Sequence, residues 1–308
     1  FEEETQALRT ALARGKGGAA HAFAGLGEPW EMELRTYAGF GQALARELSG
    51  RGFAPYRVGE DRARVVTRDI HKLYELRCFH ELLFPLAQKL PAEPQALIRP
   101  AQKLIGLLRQ CAPGEGPYRY RLELRPQTTD RMEFLRAAAG LLEGEGLANA
   151  PSNYEAELRV ERSGDVMDAY AKLYLLPDQR FAYRKHALPA GIHPAAAGAV
   201  MAFVRDELKP HARGLDPCCG AGTMLFEREK YMPCAALTGV DIAHRAVEYA
   251  RQNALAAGSA AKFVANDCLR FIARQPYDEV ISNLPFGNRV STHSGNEALY
   301  RGLAERLP

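Results

Sequence analysis

The chain has 308 residues, which is enough for two or three domains that each bury a core of their own. It is 47% hydrophobic and 25% charged, as globular proteins are, and no apolar run approaches the roughly 20 residues that a membrane helix needs. The net charge is only +3 and neither half is strongly basic, so any affinity for nucleic acid has to come from local patches.

Six cysteines are spread along the chain, and none of them forms a C-x-x-C pair. This spacing does not support a zinc site, and no other metal site is predicted. Two of them, Cys218 and Cys219, are adjacent within a glycine-rich turn. Free thiols are expected rather than disulfides, as in a cytoplasmic protein.

The first predicted elements form a small unit of alternating strands and helices. Residues 1–30 are a lead-in segment to which no function is assigned. An apolar stripe with i, i+4, i+8 spacing predicts a helix over 40–49, between a strand at 31–37 and a strand pair at 56–66. Asp69 is the expected N-cap of a second helix that continues past residue 76.

The next segment contains three prolines between residues 91 and 100, which predict a linker or turn. Residues 118–125 alternate aromatic or leucine side chains with charged ones, the period-two pattern of a half-buried strand. Helices are also predicted at 101–111 and 130–143, and strands at 154–161 and 167–175.

From residue 192 onward, strands and helices alternate strictly. Pro194 is expected in the first turn of a helix, and a strand leads into Asp216. Further strands are predicted at 235–240, 262–265 and 278–282, with helices at 223–230, 243–257, 268–274 and from 297. Alternation of this kind predicts a parallel sheet with helices on both faces.

A glycine-rich turn lies between the first strand and helix of this region. The run Asp216-Pro-Cys-Cys-Gly-Ala-Gly-Thr lacks the last glycine of the dinucleotide fingerprint and the Lys-Ser/Thr of a P-loop. Glycines let the backbone approach a ligand closely, and the helix start presents free N–H groups. The candidate cofactor-binding residues here are Asp216, Cys218, Gly220, Gly222 and Thr223.

Acidic residues follow the next two strands. Asp241 ends the second strand about 20 residues after the glycine turn, where a carboxylate can accept hydrogen bonds from two ribose hydroxyls. Asn266 and Asp267 follow the third strand, and Asp267 is a candidate for binding an adenine amino group. An N-cap role for Asp267 is an equally valid interpretation of the sequence.

The most specific motif is Asn283-Leu284-Pro285-Phe286, after the fourth strand. An exocyclic base amine is a weak nucleophile because its lone pair is delocalised into the ring. The Asn283 amide oxygen and the Leu284 carbonyl are each placed to accept one N–H hydrogen bond, which would aim that lone pair at a methyl sulfonium. Phe286 would stack on the base, at about 1–3 kcal/mol per base, and Pro285 would stiffen the turn.

With these motifs the chain resembles the THUMP-containing RNA guanine-N2 methyltransferases, which have a class I catalytic domain. The resemblance implies S-adenosyl-L-methionine as cofactor and structured RNA, tRNA above all, as substrate. It identifies the glycine turn, together with Glu227, with the first cofactor motif. Asp241 corresponds to the ribose-binding acid and Asp267 to the adenine contact. The resemblance identifies Asn283–Phe286 with the catalytic tetrapeptide.

The resemblance also implies a domain organisation and a fold class. The fold class is α/β, with a Rossmann-like class I methyltransferase domain preceded by α+β ferredoxin-like and THUMP domains. The expected ranges are 31–90 for the ferredoxin-like domain, 91–187 for THUMP and 188–308 for the methyltransferase domain. Such a domain has about seven strands and only four are predicted, so it is expected to be C-terminally incomplete.

Basic side chains of the predicted THUMP region and of the run after it are candidate RNA contacts. They are Arg119, Arg121, Arg125, Arg159, Arg184 and Lys185. Any one of them is equally compatible with an ordinary solvated surface. Phosphate contacts would set affinity and salt dependence rather than base choice.

Three alternatives to a tRNA guanine-N2 methyltransferase remain open at this point. The sequence is also compatible with a ribosomal RNA substrate, with methylation of adenine N6, and with a non-catalytic RNA-binding protein that keeps the fold. A dehydrogenase is the weakest interpretation, because the dinucleotide glycine pattern is absent.

Overall fold

The computed structural model describes residues 21–144, 146–286 and 293–306. The chain divides into two units that interleave along the sequence. Unit 1 comprises the chain up to Arg35, Leu48–Leu73 and Glu81–Pro177, and unit 2 comprises Thr36–Glu47, Tyr74–His80 and the chain from Asp178. Within the described ranges no helix is both long and apolar enough to cross a membrane.

Unit 1 is built on a seven-stranded mixed sheet with the order β2-β1-β3-β7-β6-β4-β5. Its strands are β1 (Trp30–Arg35), β2 (Arg62–Thr67), β3 (Glu81–Pro91), β4 (Tyr118–Arg125), β5 (Leu147–Asn149), β6 (Ala156–Ser163) and β7 (Val166–Leu173). The strand predicted at 118–125 is confirmed, because β4 has these bounds and its Tyr118, Tyr120 and Leu122 are buried. The alternation of burial ends at Leu122, since Glu123 is buried too.

Among the described residues before 178 there are four helices: α1 (Gly41–Gly50), α2 (Ile70–Leu73), α3 (Ile98–Cys111) and α4 (Arg131–Leu142), with a 3-10 turn at Pro94–Leu97. In α4, the residues that are buried are Phe134, Ala138 and Leu142, so one stripe at i, i+4, i+8 packs into the core. The predicted linker at 91–100 is partly helical, because it contains the 3-10 turn and the first residues of α3.

The units differ from the domain ranges expected from the sequence. Residue 90 lies inside β3, and β3 pairs with β7 in the same sheet, so strands from both expected N-terminal domains share one core. The helix after Asp69 ends at Leu73, and the following segment, Tyr74–His80, belongs to unit 2. Of the lead-in, residues 1–20 lie outside the described residues, and His21 is hydrogen-bonded to Glu155 at 2.9 Å.

Unit 2 contains a four-stranded parallel sheet with the order β10-β9-β8-β11, as the alternation predicts. The strands are β8 (Ala212–Asp216), β9 (Cys234–Asp241), β10 (Lys262–Ala265) and β11 (Glu279–Val280). The helices are α5 (Pro194–Phe203), α6 (Thr223–Tyr231), α7 (His244–Ala257) and α8 (His293–Ala304), with a 3-10 turn at Arg205–Glu207.

Three elements of unit 2 differ from expectation. The helix expected at 268–274 is absent: the segment forms turns, and Ile272 is 84% exposed. A short helix is stable only when packing covers an apolar face, and this segment buries none. The strand expected at 278–282 is shorter, and α8 begins at 293 rather than 297.

The strand order places the candidate site. The chain runs outward from β8 through β9 to β10, and then returns to the other side of β8 as β11. Ligands of open α/β sheets bind at the carboxyl ends of the strands where the order reverses. In this sheet that point lies between β8 and β11.

Candidate active site

The glycine turn connects β8 to α6 in a conformation that favours glycine. Gly220 has φ +51° and Gly222 has φ +87°, both in the left-handed region. A Cβ atom on Gly222 would lie 2.8 Å from the Phe226 ring and 3.0 Å from the Phe263 ring. The turn closes through a hydrogen bond from the Gly222 N–H to the Cys219 carbonyl at 2.8 Å. Backbone geometry thus favours glycine at both positions, and packing also excludes a side chain at Gly222.

Asp216 is buried at the base of this turn. Its Oδ1 accepts hydrogen bonds from the Cys218 N–H at 3.1 Å and from the Ser282 hydroxyl at 2.6 Å. Burial raises the pKa of the Asp216 carboxyl to about 7. The side chain is only 1% exposed, so it supports the turn and connects it to the segment after β11.

Asp241 holds the turn from the next strand. Its Oδ2 accepts a hydrogen bond from the Gly220 N–H at 2.9 Å, and its Oδ1 accepts one from the Ala243 N–H at 2.9 Å. Each carboxylate oxygen accepts two hydrogen bonds, so this half-buried side chain keeps acceptor capacity for a pair of hydroxyls. The Asn266 N–H donates to the Asp241 carbonyl at 3.0 Å, which brings the end of β10 alongside.

Asp267 is half-buried at the end of β10 and has two local contacts. Its Oδ1 accepts a hydrogen bond from the Leu269 N–H at 2.9 Å, and its Oδ2 lies 3.7 Å from Arg270 Nε. Asp267 therefore closes a local turn, but it is not a helix N-cap, because no helix follows it. The same carboxylate lies at the carboxyl edge of the sheet, beside the strand that ends in Asp241.

The motif Asn283–Phe286 follows β11 at the same edge. The hydrogen bond between Ser282 and Asp216 holds its start beside the glycine turn. Its Pro285 carbonyl accepts a hydrogen bond from the Tyr300 hydroxyl of α8, a contact that no sequence pattern indicates. Phe286 is 71% exposed, which is unusual for a phenylalanine and is what a stacking role requires.

Glu227, which the resemblance assigned to the first cofactor motif, is completely buried in α6. It accepts hydrogen bonds from Arg77 Nη2 at 2.7 Å and from the Tyr183 hydroxyl at 2.6 Å. Its contacts therefore hold α6 in place. The sequence gives no signal of the roles of Arg77 and Tyr183, because these residues lie 150 and 44 positions from Glu227 in the chain.

The prediction that Arg159 contacts RNA is wrong. The side chain is 0% exposed, and its Nε and Nη2 donate to Glu157 at 2.8 and 2.7 Å while Nη1 pairs with Glu81. Period-two alternation shows which face of a strand a residue occupies, but it does not show what neutralises or covers that face. Here glutamates from β3 and β6 do so.

The other candidate RNA contacts differ in exposure. In unit 1, Arg125 is exposed, Arg119 is half-buried, and Arg121 is paired with Glu123 at 2.7 Å. In unit 2, Arg184 is half-buried and Lys185 is exposed. The outer face of β4 is therefore less basic than its sequence suggests.

These residues suit a nucleoside-containing cofactor. The glycine turn lets a ligand come close to its backbone. Asp241 and Asp267 supply hydrogen-bond acceptors along one edge of the sheet. Within the described part of the chain, no group of three or more His, Cys, Asp or Glu side chains is arranged to hold a metal ion.

Comparison with known proteins agrees with this geometry. Residues 182–308 match the family UPF0020, described as an RMKL-like methyltransferase domain. This part of the chain is therefore similar to a methyltransferase domain. The prediction of an enzyme domain that uses S-adenosylmethionine is thereby confirmed.

Individual relatives match different extents of the chain. Over 103 residues it is 33% identical to ribosomal RNA small subunit methyltransferase C of Klebsiella pneumoniae, and the match covers 32% of this chain and 30% of that protein. TrmN from Thermus thermophilus has a TM-score of 0.65 at 24% identity, with 90% and 86% of the two chains covered. SMU.472, which was crystallised as a complex with SAH, has a TM-score of 0.68 at 15% identity, with 91% and 86% of the two chains covered. The last two show that the fold is shared well beyond the methyltransferase domain.

Proposed function

We propose that the protein transfers a methyl group from S-adenosylmethionine to the exocyclic N2 amino nitrogen of a guanosine in structured RNA, with tRNA as the first choice. The observation that carries this proposal is the position of Asn283–Phe286. The motif follows β11 at the point where strand order reverses, and Ser282 connects it to Asp216 beneath the glycine turn.

The cofactor supplies an electrophilic methyl group on a sulfonium. The Asn283 amide oxygen and the Leu284 carbonyl would accept the two N–H bonds of the base amine and orient its lone pair. A nitrogen–carbon bond forms as the sulfur–carbon bond breaks, and the amine proton leaves to solvent. Catalysis would come from positioning and from these two acceptors, so no general base is required.

The assignment to RNA rests on the region before the methyltransferase domain. Its resemblance to ferredoxin-like and THUMP domains, proposed at 31–90 and 91–187, supports an RNA-gripping role. The Klebsiella relative is named a ribosomal RNA methyltransferase, so ribosomal RNA is the second candidate substrate. We propose Arg119, Arg121, Arg125, Arg184 and Lys185 as phosphate contacts.

Label transfer tests the proposal. The protein is incubated with radiolabelled S-adenosylmethionine and separately with unmodified tRNA and ribosomal RNA, and the RNA is digested to nucleosides. We expect label in N2-methylguanosine from tRNA, and loss of label in Asn283→Ala but not in the control Gln252→Ala. Label in N6-methyladenosine, or SAH binding without any label in either RNA, would overturn it.

A further inference from the structure

Asn253 is an asparagine on α7 that is 1% exposed and outside every motif recognised in the sequence. A buried side-chain amide is stable only when its donors and acceptor are satisfied. All three groups are used here, and each bond leads to a segment outside α7.

Two of these bonds hold the segment that enters the methyltransferase domain. Asn253 Oδ1 accepts the His186 N–H at 3.0 Å, and Nδ2 donates to the His186 carbonyl at 2.9 Å. The amide thus pairs with the backbone of His186 as a neighbouring strand would. One helical turn earlier, Tyr249 stacks on the His186 ring at 4.6 Å with an interplanar angle of 16°.

The third bond reaches the glycine turn. Asn253 Nδ2 donates to the carbonyl of Ala221, the residue between the two glycines, at 3.1 Å. The entry segment also approaches the turn directly, since a Cβ atom on Gly220 would lie 3.5 Å from Leu188 Cδ1. One side-chain amide therefore connects the entry segment, defined as residues 184–188, to the cofactor turn.

We propose that Asn253 is a positioning residue that couples the entry segment to cofactor binding at the glycine turn. The coupling rests on the proposed function, because it assumes that the turn binds S-adenosylmethionine. Coupling between two sites is reciprocal. If an ordered entry segment raises the affinity for the cofactor by some factor, cofactor binding should shift the entry segment toward its ordered state by the same factor. A side chain that only stabilises the core would show no such reciprocity.

Two variants of the whole chain test the coupling, with SAH as the probe. Asn253→Asp keeps the shape but places a carboxylate oxygen against the carbonyls of His186 and Ala221, and Asn253→Ala removes all three bonds. We expect SAH to bind about tenfold more weakly to each by calorimetry, the equivalent of one or two hydrogen bonds. Gln252→Ala is the matched control, because its exposed amide contacts only Glu248.

Hydrogen–deuterium exchange of the unmodified protein supplies the second measurement, which does not depend on a variant that folds. SAH should slow exchange of peptides that cover residues 184–188 several-fold, and this effect should vanish in folded Asn253 variants. Unchanged exchange on SAH binding, or variants that bind SAH as tightly as the control, would refute the coupling. Absence of SAH binding by the unmodified protein would instead refute the proposed function.

Discussion

Ser282 donates a hydrogen bond from its hydroxyl to Asp216 Oδ1 over 2.6 Å, which joins the ends of β11 and β8 at the reversal of strand order. The two residues are 66 positions apart in the chain. Asp216 is buried and Ser282 is half-buried. This hydrogen bond connects the glycine turn to the segment that leads into the Asn283 motif. Several of the expected effects of substitution originate here.

Ser282→Ala should weaken unit 2 and cofactor binding together. The change leaves a buried carboxyl without its shortest hydrogen bond, at a cost of about 1–3 kcal/mol in the free energy of unfolding. Urea denaturation and SAH calorimetry at pH 8 measure the two effects. Ser163→Ala, at the end of β6 in unit 1, should change neither, and equal stability of the two variants would count against the role of Ser282.

Stability should fall with rising pH because of Asp216. Burial raises the pKa of this carboxyl to about 7 in the folded chain, above its ordinary value of 3.8. The folded state therefore binds more protons than the unfolded state between these two pKa values. The contribution of the protonated Asp216 carboxyl to the free energy of unfolding is complete below about pH 4 and is lost as pH rises through 7. Asp216→Asn keeps an acceptor oxygen but cannot ionise. A plot of the free energy of unfolding against pH, from denaturation curves at a series of pH values, should therefore be flatter for this variant over that range. The exposed Asp278→Asn should leave the slope unchanged, and an unaltered slope in Asp216→Asn would contradict the assignment.

Arg77→Ala should be among the most damaging substitutions in unit 2. It removes the partner of the completely buried Glu227, and an uncompensated buried charge costs about 3–5 kcal/mol. Arg46→Ala breaks an exposed pair with Asp206 at 3.4 Å, for which about 0–1 kcal/mol is expected. Chemical denaturation compares the two, and similar losses would show that the Arg77 pair is no more than a surface contact.

Phe286→Ala should reduce RNA methylation while SAH binding is retained. Loss of one stacked base costs about 1–3 kcal/mol, so methylation efficiency should fall by about fivefold to over a hundredfold, and Phe286→Tyr should preserve it. Leu255→Ala is the control, because this side chain is 84% exposed on α7. A loss of SAH affinity in Phe286→Ala would place the ring against the cofactor rather than the base.

Much of the methyltransferase domain follows from short-range patterns. Strand-helix alternation indicated the parallel sheet, and the strand at Lys262–Ala265 has the predicted bounds. The sequence assigned the glycine turn and Asp241 to one cofactor site. The structure joins them by a hydrogen bond from the Gly220 N–H to the Asp241 carboxylate, which the sequence did not predict. The predictions of the sheet and the strand succeed because periodicity and turn chemistry depend on residues that are close in the chain.

The sequence alone thus determined the parallel sheet, the glycine turn and the edge of the sheet where the acids and Asn283 lie. Only the tertiary structure decided that Arg159 is neutralised by Glu81 and Glu157, and that Asn253 joins the entry segment to the turn. Except for Glu157, the partners in these contacts lie 32 to 78 positions away. Local pattern carries no information about which distant group satisfies a buried polar side chain, because that choice is made by the packing of the whole core.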